Sequence, residues 1–77
     1  MTDQERIIFG NLLIVASGVD QMSGMFAGET RQFRPLHMFM SDNAEPKLLL
    51  YAFDYNLHER VVLRMEDLDP QTLRRER

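Results

Sequence analysis

Cysteine is missing altogether from this 77-residue chain, so no disulfide can staple it. Two histidines, His37 and His58, are the only candidate nitrogen ligands, which leaves a structural zinc site without its usual donors. No apolar run is long enough to span a bilayer, because Gly10 and Asn11 interrupt the longest one, residues 7–16. A basic, small-residue leader is also lacking: the chain opens Thr2-Asp3-Gln4-Glu5-Arg6, which does not fit a secretory signal. These absences point to a cytoplasmic protein with no membrane segment and no cofactor. An excess of positive charge is lacking too. The formal net charge is −3, which argues against general affinity for nucleic acid.

Seventy-seven residues make one domain, residues 1–77, with a core that is marginal by itself. With disulfides and metal excluded, a second subunit or a protein partner is the expected reinforcement. The apolar fraction of 44% is that of a globular chain. The acidity belongs to the N-terminal part. Residues 1–30 carry Arg6 against Asp3, Glu5, Asp20 and Glu29, whereas residues 31–77 balance eight basic against eight acidic side chains.

Periodicity gives the elements. Ile8, Leu12, Val15, Val19, Met22 and Phe26 are spaced by four, three, four, three and four, the stripe of an amphipathic helix over residues 2–26. Thr2 and Glu5 fit a capping box, and Asp3 and Glu5 suit a helix N-terminus. Gly10, Gly18 and Gly24 oppose it, and a rival pattern makes residues 6–9 and 12–16 two strands about Gly10-Asn11. Ser23-Gly24 is the expected break, with Gly28 a second stop. At about 1.5 Å per residue the stripe outruns a strand of about 20 Å, so its end must meet something else or the helix must break at Gly18 or Gly24.

Residues 31–40 alternate as a strand, and Pro35 predicts an edge or a strand start there. Residues 41–46 are turn formers. Residues 47–55 put Leu49, Tyr51, Phe53 and Tyr55 on one face and Leu48, Leu50 and Ala52 on the other. That suits a central strand covered on both sides. Residues 60–66 turn Val61, Leu63 and Met65 inward. Asp69-Pro70 predicts a short C-terminal helix, with Arg74, Arg75 and Arg77 near its end. The expected fold is therefore α+β: an N-terminal amphipathic helix packed on a three-stranded antiparallel sheet, with a short C-terminal helix.

No catalytic constellation stands out. No serine sits in a nucleophile elbow, and His58 with Asp54 or Glu59 lacks a nucleophile. The segment from Asp54 has Glu59 where a calcium loop needs glycine. Arg31-Gln32-Phe33-Arg34 interleaves charge and aromatics as single-strand binders do, and Arg60 and Arg64 extend that pattern, yet Glu45, Glu59 and Glu66 offset it. Six methionines suit an irregular core or an adaptable binding surface. The sequence thus predicts a non-enzymatic interaction module, a homodimer that binds and modulates another protein. Its expected contact residues are Ile8, Leu12, Val15 and Val19 on the helix and Leu49, Tyr51, Phe53 and Tyr55 on the central strand. A nucleic-acid regulator using Arg31, Arg34, Arg60 and Arg64 is the alternative.

Overall fold

The computed structural model describes residues 20–76. They form one five-stranded antiparallel sheet, not an α+β layer pair. In chain order the strands are β1 (Met22–Phe26), β2 (Glu29–Met40), β3 (Leu48–Asp54), β4 (Glu59–Arg64) and β5 (Leu68–Arg75). Their spatial order is β4-β3-β2-β1-β5, so the last strand crosses from one edge of the sheet to the other. The crossing is made by a single 3-10 turn, Met65–Asp67, which carries the buried Met65.

Two expected helices are therefore corrected. Over residues 20–26 the helical stripe gives way to β1, while residues 2–19, with the rival hairpin, lie outside the described residues. In β1 the buried residues are Met22, Gly24 and Phe26, a period of two that coincides with the helical period at Met22 and Phe26. Glycine at position 24 tips the balance, since it disfavours a helix and here allows close packing. A Cβ at Gly24 would lie 3.1 Å from Leu68 Cδ1 and 3.4 Å from Leu73 Cδ1 on β5. Gly28 does not stop a helix but completes a hairpin. Ala27 and Gly28 both have positive φ, 50° and 82°, the signature of a tight type I′ connection.

The C-terminal helix is likewise replaced by β5. Asp69 accepts the Gln71 N–H on its carboxylate and the Thr72 hydroxyl on its carbonyl, a local turn that satisfies the cap chemistry without a helix. Pro70 is tolerated because β5 is an edge strand with an irregularity there. Ser23 faces Arg74 and Met25 faces Asp69, leaving residues 70–73 to bulge opposite Gly24. Thr72 Oγ1 accepts the Met25 N–H at 2.8 Å in place of the interrupted ladder.

Strands β2, β3 and β4 form a meander over the stretches whose alternation marks them as strands. Pro35, expected at an edge or a strand start, lies inside the central strand β2. A register shift between Pro35 and His37 leaves Leu36 without a partner and absorbs the missing donor. One core fills the inner face: Met22, Phe26, Phe33, Leu50, Ala52, Leu63, Met65 and Leu68. Phe26 and Phe33 meet edge to face at 5.6 Å. Among the described residues no helix is long and apolar enough to cross a membrane.

Candidate interaction surface

The register fixes which side chains share the outer face, the one opposite the core. Phe39 faces Leu49, His37 faces Tyr51, and Arg34 faces Phe53 across β2 and β3. Leu49, Tyr51 and Phe53 in turn face Arg64, Val62 and Arg60 on β4. The inward set, Asp54, Ala52, Leu50 and Leu48, occupies the alternate positions. The structure thus brings Leu49, Tyr51, Phe53 and Tyr55 together on one face of the sheet, each half-buried by its neighbours. Ile8, Leu12, Val15 and Val19 lie outside the described residues.

The outer face is rich in rings. His37 and Phe39 stack with centroids 5.8 Å apart and planes 9° from parallel. Phe53 makes T-shaped ring pairs with Tyr55 at 5.3 Å and with His58 at 6.5 Å. Val62, on the edge strand β4, is 54% exposed. Sequence reasoning missed His37, Phe39 and Val62 as members of this surface. The bulge at Leu36 shifts the parity of β2, so a fixed alternation misplaces the residues beyond it. Val62 could have been found by pairing the alternations of β3 and β4.

Asp20 closes one rim. Its carbonyl accepts the Tyr55 hydroxyl at 2.6 Å, and its carboxylate lies 3.6 Å from Arg34 Nη2. At another rim Arg64 donates to both carboxylate oxygens of Asp67, at 3.1 and 3.2 Å, and approaches Glu66 at 3.5 Å. The hydrogen bond to Asp67 raises the Arg64 pKa, and the same bond lowers that of Asp67.

The four arginines of the sequence reading do not act together. Arg34, Arg60 and Arg64 belong to the outer face, but Arg31 lies on the inner one, at the position paired with Gly24. There Arg31 Nη1 donates to Asp54 Oδ2 at 2.8 Å, and Nη2 reaches Glu29 at 3.4 Å.

The acid–base candidates also resolve. Asp54, 1% exposed, accepts the Asn56 and Leu57 N–H groups at 2.8 and 3.1 Å as well as the Arg31 guanidinium. Burial pushes its carboxyl up, but the Leu57, Arg31 and Asn56 hydrogen bonds outweigh burial and hold it below its ordinary value. Its oxygens are committed to the turn between β3 and β4, in which His58 takes a positive φ of 54°. Among the described residues no three histidine, aspartate or glutamate side chains gather as a metal cage would require. The chain matches no family model, no curated protein and no solved structure.

Proposed function

We propose that this protein is a small non-enzymatic interaction module that binds another protein through the outer face of β2–β4 and modulates it. The observation that carries the reading is the composition of that face. Phe39, Leu49, Tyr51, Phe53 and Val62 form a contiguous apolar and aromatic patch on one face of a sheet whose core lies wholly on the other. A solvated sheet face ordinarily alternates to polar residues, and an apolar patch rimmed by charge favours a protein contact. The rim here is Arg34, Arg60 and Arg64, charges that would set orientation and partner choice more than affinity. A homodimer is the same proposal with a second copy as the partner, and light scattering on a size-exclusion column reads it. The cysteine-free sequence supports a cytoplasmic setting.

The nucleic-acid reading gains one observation, since three arginines and a set of rings share the outer face, as on single-strand binding platforms. Two of those arginines already face carboxylates, Arg34 at Asp20 and Arg64 at Glu66 and Asp67. That pairing favours the protein partner.

The test is capture by tagged full-length chain from nuclease-treated extract of the native cell, beside a Phe53→Glu variant of matching circular dichroism. The reading expects at least one protein retained by the wild type and lost with the variant. Identical protein sets from the two baits would overturn it, and binding that vanishes with nuclease would favour the nucleic-acid reading.

A further inference from the structure

We propose that Met40 is a peroxide-responsive modification site, where the folded protein takes up one oxygen atom reversibly and without opening its core. Met40 pairs with Leu48 on the core side of the sheet, so the site is independent of docking on the outer face.

The chain is rich in methionine, and the fold sorts its methionines by access. Five of the six fall among the described residues. Met22 and Met65 are sealed in the core, at 2% and 3% exposure. Met25 and Met38 are half-buried, and Met38 packs against the core cluster. Met40 alone among the five is exposed, at 55%. Oxidation of a sulfur side chain follows its exposure, so one thioether is open to attack while two are shielded.

The position of Met40 also makes its oxidation tolerable. It is the last residue of β2, and Leu48 opposite is the first of β3. Two residues back on the same side, Met38 faces Leu50, which is 1% exposed. The row therefore runs from a sealed interior at Leu50 to open solvent at Met40. The loop that follows is closed by other groups. Ser41 donates its N–H to the Lys47 carbonyl at 2.8 Å, and its Oγ accepts the Lys47 N–H at 2.8 Å. A sulfoxide oxygen on Met40 stays in water. On Met22 or Met65 the same polar oxygen would be buried among apolar side chains, a costly placement.

The reagent class is a peroxide. The thioether sulfur attacks one peroxide oxygen, an S–O bond forms as the O–O bond breaks, and the second oxygen leaves as water with both protons. Sulfur loses two electrons and the peroxide gains them. A methionine sulfoxide reductase reverses the change, with two thiols oxidised to a disulfide and the oxygen released as water.

The test is timed exposure of the full-length protein to hydrogen peroxide. Tryptic peptides are then sequenced by mass spectrometry, which assigns each added oxygen to its methionine; Met1, on peptide 1–6, is scored separately. Met40 is expected to oxidise at least about tenfold faster than Met22 and Met65, and faster than Met25 and Met38. Circular dichroism should be unchanged when Met40 carries its oxygen, and reductase with a thiol should restore the original mass. Met40→Leu should abolish the fast addition to peptide 35–47 and leave the rates at Met22 and Met65 as they were. Comparable rates at Met40 and the two core methionines would overturn the assignment. Unfolding that accompanies oxidation of Met40, or a sulfoxide that the reductase leaves in place, would overturn it as well.

Discussion

Arg31 and Asp54 face each other on the inner side of the sheet, with Nη1 2.8 Å from Oδ2, tying β2 to the end of β3. Asp54 is 1% exposed and accepts two backbone N–H groups besides, so the pair organises the turn that starts β4. Removing the carboxylate leaves the Asn56 and Leu57 donors and the guanidinium without their acceptor. Asp54→Ala is expected to cost about 2–4 kcal/mol. Urea unfolding followed by circular dichroism checks it, and a cost under about 1 kcal/mol would contradict the role.

The same group gives a pH dependence. The folded pKa of Asp54 lies below its ordinary value of 3.8, so the unfolded state binds the proton first as pH falls. Its contribution to stability is complete well above 3.8 and is lost as the pH falls from there through the folded pKa. Urea midpoints between pH 6 and 2.5 should therefore fall in acid. Asp54→Asn should remove part of that slope; an unchanged slope would assign the acid sensitivity elsewhere.

At the β1–β2 hairpin, Ala27 holds φ at 50°, a left-handed conformation that costs a residue with a Cβ about 1 kcal/mol. Asparagine tolerates it better and forms the Asn-Gly pair that such turns prefer. Ala27→Asn is expected to stabilise by about 0.5–1 kcal/mol and raise the melting temperature by several degrees. Destabilisation would mean that the turn is not the one described.

Strand β5 depends on Thr72, whose Oγ1 accepts the Met25 N–H at the irregularity opposite Gly24. Thr72→Val keeps the shape and removes the acceptor, at an expected cost of about 1–2 kcal/mol. Gly24→Val should cost more, about 1–3 kcal/mol, because its side chain would enter the space held by Leu68 and Leu73. Amide exchange should then speed up in β5 before β3.

What the sequence showed and what it hid follow from period and range. Residues 59–64 alternate, so that strand and its inward residues were readable, whereas residues 48–54 are apolar on both faces and showed a strand without an alternation to mark its core side. Met22 and Phe26 satisfy a period of four as well as a period of two, and only the β5 partner, more than forty residues away, decides between them. Asp69-Pro70 carries true cap chemistry, but it is spent on a turn within an edge strand. The candidate surface was half readable. Tyr51 and Phe53 came from one apolar strand, whereas His37 and Phe39 reach that face only because a bulge at Leu36 changes the parity of β2. No local pattern marks such a bulge except the proline beside it.

The central claim is that the outer face of β2–β4 is a docking surface for a protein partner. Val62 and Leu57 offer a matched pair for testing it, since each is 54% exposed, one on that face and one in the turn after β3. A soluble gadolinium chelate, added to dilute methyl-labelled full-length protein, reports how closely solvent approaches each side chain. The account predicts that, once the captured protein is bound, Val62 methyls relax several-fold more slowly than those of Leu57, approaching the shielding of core Leu50. Equal relaxation of Val62 and Leu57 would contradict it.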